Sequence, residues 1–176
     1  MKLMIFLALL VLFTVYERVR RKPYLASLVG NTLAALFGYG VYQITYTDLT
    51  VYYTETDLFE FRLFGHTFHL VPINATAITF GEVVIVSTKS CRGGCVDAVL
   101  KHEFVHVDQY RKMGSLTFFC IYLFYFLRNF FRIYGDCQQK IHQGIYMGVQ
   151  NCWSLAVHEA YENIPLEIEA REKSGY

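Results

Sequence analysis

Two histidines and a glutamate carry the clearest chemical signal in this chain, in the run His102-Glu103-Phe104-Val105-His106. Residues four apart on a helix stand one turn above each other, so both imidazoles point toward one place in space. Two neutral imidazoles supply half of a tetrahedral zinc site, and Glu103, beside the first of them, can reach water at the metal as a general base. With the six histidines and ten glutamates of this 176-residue chain, the pattern is expected by accident about 0.01 times. The chemistry implied is hydrolysis assisted by Zn2+, and it asks for a third protein ligand.

The elements that must position these groups come next. Residues 96–113 mix apolar spacings of three and four and stop at Gly114, which predicts a single helix with a glycine cap. Near the tail, Asn163-Ile164-Pro165-Leu166-Glu167-Ile168-Glu169-Ala170-Arg171-Glu172 puts a proline where a helix opens and acidic side chains in its first turns. Glu167 and Glu169 are the candidates for the third ligand. A glutamate there also has the plainer task of complementing the helix dipole. His158 and Tyr161, shortly before that helix, are candidate hydrogen-bond donors to the oxyanion that amide hydrolysis develops, with packing as their plainer role.

The combination H-E-F-V-H-V-D-Q-Y-R-K-M-G with a later I-P-L-E-I-E-A-R resembles small bacterial proteins bearing H-E-L-V-H-V-R-Q-Y and N-P-F-E-R-E-A. More distantly it resembles gluzincin peptidases, whose third zinc ligand is a glutamate on a second helix. In the membrane gluzincins of HtpX and CAAX-processing type that helix carries E-x-x-A-D, with the first glutamate on zinc. Aligning the alanine with Ala170 makes Glu167 the ligand that the resemblance implies. Arg171 stands where those enzymes have an aspartate, so this chain lacks the carboxylate that orients one of their histidines. The resemblance covers roughly residues 76–172. It implies a zincin-like fold and a peptide or protein substrate lying along the strand that precedes the HExxH helix, here residues 77–86.

Upstream, the period of the sequence is two. Phe59, Phe61 and Leu63 alternate with Glu60 and Arg62, Gly65-His66 reads as a turn, and residues 67–71 form the next short strand. Residues 77–86 are rich in β-branched side chains, with Gly81 as an expected bulge. A small antiparallel sheet and an α+β class follow. His66 and His69 lack a third partner at ligand spacing and read as structural or exposed; Asn74-Ala75-Thr76 matches a glycosylation sequon.

The composition adds a membrane. The chain is 54% hydrophobic and 17% aromatic, with a formal net charge of +1 and no extended basic block, which excludes nucleic acid as the main partner. Residues 3–16 are apolar and span about 21 Å as a helix, and the basic run that follows offers no small-residue cleavage site, so an uncleaved anchor is preferred over a signal peptide. Residues 24–47 are a second uncharged stretch, readable either as another span or as a buried helix. The basic cluster at residues 18–22 is expected on the cytoplasmic side, so two spans would place the remainder outside and one would leave it inside. The expected organisation is a membrane anchor over 1–47 and a zincin-like metallopeptidase domain over 48–176, with lipid as a further partner and no oligomeric state indicated.

Residues 116–131 are apolar nearly all round and predict a helix packed on the HExxH helix, either inside the core or with one face at the membrane. Residues 135–148 read as a loop or short helix. Of the five cysteines, Cys91 and Cys95 could close a local bridge, and no larger disulfide framework is implied. Three functions follow: a membrane-associated zinc metallopeptidase, a non-catalytic zinc-stabilised membrane scaffold or interaction protein, and a metal-free membrane module.

Overall fold

The computed structural model describes residues 2–42, 49–58, 60–63, 66–69, 75–91, 95–144 and 151–175. It is an α+β arrangement. In chain order the elements are α1 (Lys2–Arg20), α2 (Tyr24–Leu36), β1 (Gly40–Tyr42), β2 (Thr50–Thr54), β3 (Glu60–Leu63), β4 (His66–His69), β5 (Ala77–Phe80), β6 (Val83–Ser87), α3 (Val96–Met113), α4 (Ser115–His142), α5 (Cys152–Glu162) and α6 (Pro165–Ser174). The described strands form a four-stranded sheet ordered β1-β2-β6-β5 and a separate β3-β4 hairpin.

The sheet is mixed rather than purely antiparallel: β2 and β6 run parallel, Val51 opposite Val84, while β1 and β5 flank them antiparallel. Strand β6 is buried along its whole length, as expected of a central strand covered on both faces. Its alternate residues serve different layers. Val84 and Val86 pack with Val51, Leu100 and Val107 beneath α3, whereas Val83 and Ile85 pack with Ala34 and Leu58 beneath α2. The sheet thus holds α3, the HExxH helix, against one of its faces.

Several expectations are corrected here. The stretch 24–47 is not a second span: α2 ends at Leu36, and β1 then joins the sheet. Ala26, Gly30 and Ala34, one turn apart, are the buried residues of α2. A Cβ at Gly30 would lie 2.8 Å from the Phe80 Cβ and 2.9 Å from the Val83 Cβ, so this glycine permits close contact with the sheet. Helix α2 therefore packs on the sheet, the buried-helix alternative for this stretch; residues 43–48 lie outside the described residues. Gly81 is not a bulge within one strand, because with φ +66° it turns the chain between β5 and β6. His66 opens β4, which ends at His69, instead of forming the turn before a strand at 67–71. Asn74 and the side chains of His66 and His69 lie outside the described residues.

The aromatic helix is also longer than its sequence pattern indicates, since α4 runs on without a break through His142 where a loop or separate short helix over 135–148 is expected. It stacks Phe118 on Tyr110 of α3 and sets Phe130 edge-to-face with Trp153 of α5. Leu123, Phe124, Leu127 and Phe131 stay exposed, as do Leu9, Val11, Leu12, Phe13, Val15 and Tyr16 of α1. Among the described residues, α4 is the one helix long and apolar enough, by length and composition, to cross a membrane, so the membrane-span candidate is not N-terminal.

Two ties close the helical layer. The buried Glu17 carboxylate accepts hydrogen bonds from the Leu25 amide at 2.7 Å, the Ser115 amide at 2.8 Å and the Ser115 hydroxyl at 2.9 Å. It thereby binds the α1–α2 turn to the N-terminus of α4, where the helix dipole also favours a negative charge. Cysteines 91 and 95 are bridged, and so are Cys137 and Cys152, which link α4 to the start of α5. The second bridge corrects the expectation that no disulfide framework exists.

Candidate metal centre

Helix α3 starts behind Cys95, carries Asp97 in its first turn and Arg111 and Lys112 in its last, and ends at Gly114 with φ +79°. Both charge biases suit the helix dipole, and the glycine takes a conformation that other residues avoid. Its inward face presents His102, Glu103 and His106, all buried. Helix α6 opens with Pro165, which fits the first helical position because the missing N–H has no partner there, and so Glu167 falls in the first turn. Glu167 is 2% exposed, an unusual place for a carboxylate that merely complements a dipole.

His102, His106 and Glu167 converge. The two Nε2 atoms are 3.2 Å apart, Glu167 Oε2 is 3.2 Å from His102 Nε2, and Glu167 Oε1 is 3.3 Å from His106 Nε2. An ion held tetrahedrally at about 2.0–2.1 Å separates its donors by about 3.3–3.4 Å. Donors already standing 3.2–3.3 Å apart fit such an ion with little movement. The group can therefore hold a metal ion. Glu169, the other candidate, is turned elsewhere: its carboxylate accepts from the Gln109 amide at 3.0 Å and pairs with Lys173.

Electrostatics reinforce this arrangement. Burial opposes the charged forms of both partners, but the imidazoles of His102 and His106 outweigh it and hold the Glu167 carboxyl well below the usual carboxylate range. The same burial disfavours a charge on His106, yet its hydrogen bond to Glu167 and the nearby carboxylates push the imidazole up to about 9. Such a ring gives up its proton readily only to something that replaces the positive charge, as a metal ion does. For Glu103, complete burial is the largest influence and pushes its carboxyl up, against the opposing effects of both histidines and of Thr79.

Glu103 is fixed from the sheet. The Thr79 hydroxyl, on β5, donates to Glu103 Oε2 at 2.6 Å. Tyr122 of α4 donates its hydroxyl to Glu167 Oε1 at 2.8 Å. Tyr161 of α5 is also close enough to Glu167 to feel its charge, and burial together with that carboxylate raises its pKa, so its phenol keeps its proton. His158, one turn before it, is exposed on α5 and does not join the buried cluster. Of the two expected oxyanion donors, then, only Tyr161 lies at the site. Arg171, in the place of the expected aspartate, pairs with Glu162 and its carbonyl, tying α6 to α5.

Sequence reasoning missed Thr79, Gln109 and Tyr122. Gln109 carries the readable signal, being three residues beyond His106 and so on the same helix face. Comparisons with family models, with curated proteins and with solved structures return no match.

Proposed function

We propose that this chain is a membrane-associated, zinc-dependent peptidase with a zincin-like fold of the gluzincin kind. The observation that carries the reading is the convergence of His102 Nε2, His106 Nε2 and Glu167 at 3.2–3.3 Å, with Glu103 buried beside them. Two histidines, a glutamate and one open position form a donor set used by catalytic zinc, whereas structural zinc usually closes all four positions with protein ligands. Bound zinc would supply Lewis acidity toward water and toward a peptide carbonyl.

The chain's own residues would do the rest. Glu103 takes the proton from the attacking water and returns it to the leaving amine, and burial raises its basicity for the first of these transfers. Thr79 holds one carboxylate oxygen, which limits the rotation of Glu103 and leaves the other oxygen for the proton. Tyr161, with its proton retained, is the candidate donor to the oxyanion. Strand β5, last among the described strands in the order β1-β2-β6-β5, carries Thr79, so an extended peptide paired with its outer edge would pass beside Glu103. Main-chain pairing of this sort tolerates many side chains.

The exposed apolar faces of α1 and α4 support attachment to a bilayer. Metal analysis of the purified chain tests the reading. About one zinc per chain is expected, kept in Glu103→Gln and lost in His102→Ala, with peptide hydrolysis abolished in both. Folded wild type without stoichiometric metal would refute it. Zinc retained with no hydrolysis by wild type would instead favour the non-catalytic scaffold.

A further inference from the structure

Gln109 is 4% exposed, and its side-chain amide is engaged on both sides. Its oxygen lies 2.8 Å from His106 Nδ1, and its nitrogen donates to the Leu166 carbonyl at 3.0 Å and to Glu169 Oε2 at 3.0 Å. The orientation of this amide follows from chemistry. A carbonyl and a carboxylate accept hydrogen bonds and cannot donate them, so the NH2 group must face Leu166 and Glu169. The amide oxygen is then left facing His106, and it too can only accept. Nδ1 of His106 must therefore carry a proton, and Nε2, the atom turned toward His102 and Glu167, is left bare when the ring is neutral.

We propose that Gln109 is the positioning residue of the metal centre: it fixes the tautomer and ring orientation of His106 while tying the HExxH helix to the first turn of the helix that bears Glu167. The inference rests on the zinc reading above. Gln109 gives His106 an acceptor from within α3 itself, independent of the position at which Arg171 stands. Lys173 completes the chain of contacts by pairing with Glu169, which holds that carboxylate against the Gln109 amide. The arrangement needs no carboxylate behind either histidine to orient His106.

The test titrates metal-stripped wild type, Gln109→Leu and Gln109→Glu with zinc against a chromophoric chelator, and records imidazole nitrogen NMR spectra of wild type. Gln109→Leu, similar in shape but without an acceptor, is expected to weaken zinc binding by about 10–100-fold. Gln109→Glu keeps an acceptor toward Nδ1 but gives up the donation to Leu166 and sets its carboxylate against Glu169, so it is expected to recover only part of that loss. In wild type, with zinc bound or above the titration of the ring, the His106 proton is expected on Nδ1. Zinc binding by Gln109→Leu within about twofold of wild type, or a wild-type proton on Nε2, would overturn the assignment. Wild type that binds no zinc would defeat the metal reading instead, and the metal-free spectrum would still decide the role of Gln109. Melting curves of the metal-free variants identify any that fail to fold, and the wild-type spectrum does not depend on them.

Discussion

Zinc binding by the metal-stripped chain is expected to strengthen about 50-fold between pH 7 and pH 9. The perturbation is pH alone, and the magnitude comes from His106, whose imidazole is pushed up to about 9 by Glu167 despite its burial. Only the neutral ring accepts a metal ion, so each pH unit below that value weakens binding about tenfold, or about 1.4 kcal/mol. Glu167 contributes no slope in this range, because its carboxyl is held well below the ordinary value and is ionised throughout. The stability of the metal-free chain should move the other way. A folded-state pKa raised from 6.5 to about 9 gives stabilisation that is complete below 6.5, about 3 kcal/mol, and is lost as pH rises through about 9. Chelator competition at a series of pH values measures the first trend, proton release on zinc addition at pH 7 checks its origin, and thermal melting of the stripped chain measures the second. An affinity that is flat between pH 7 and 9, with no proton released, would refute the claim that His106 holds a proton in the empty site.

Two further predictions concern the frame that carries the site. Gly81→Ala is expected to destabilise by about 2–5 kcal/mol, from a positive φ that costs about 1–2 kcal/mol and overpacking of about 1–3 kcal/mol. The new Cβ would stand 2.7 Å from the Ser27 amide nitrogen and 2.8 Å from the Pro23 carbonyl oxygen, both backbone atoms; an unchanged urea midpoint would contradict this. Glu17→Ala is expected to cost about 2–4 kcal/mol by leaving the Leu25 and Ser115 amides without their acceptor, read as a lower urea midpoint at an unchanged slope. Equal stability would mean that water replaces the carboxylate there.

The parts of the centre that were legible in the sequence are those set by local geometry. Helical spacing alone brings His102 and His106 together, and Pro165 alone starts the helix that carries Glu167. Tyr122 and Thr79 reach the site only through packing between elements distant in sequence: α4 folding back on α3, and β5 pairing with β6 beneath α3. Neither a tyrosine within an aromatic run nor a threonine within a β-branched one announces such a role. The uncharged stretch at 24–47 fails as evidence for a span because lipid and a buried sheet face ask for the same absence of charge. The discriminating feature is the small-residue spacing of Ala26, Gly30 and Ala34, which fits a helix pressed on a sheet. Cys137 and Cys152 have no motif spacing, and their pairing depends on α4 being long enough to meet the start of α5.

The departure at Arg171 shows why a centre is better judged by the bonds it makes than by the positions it matches. What a ligand histidine needs is an acceptor at its second nitrogen, held firmly enough to keep the ring in place. A carboxylate from another helix can meet that need, and so can an amide one turn along the same helix if its nitrogen is anchored by acceptors. Here Leu166 and Glu169 anchor it, which frees the position of Arg171 for a different task, pairing with Glu162 to hold α6 against α5. Gln109 meets that need for His106 alone, so the absence of the aspartate is answered at one histidine of the pair. The Glu103→Gln variant addresses catalysis directly, since it removes the base while leaving every proposed metal donor and Gln109 in place.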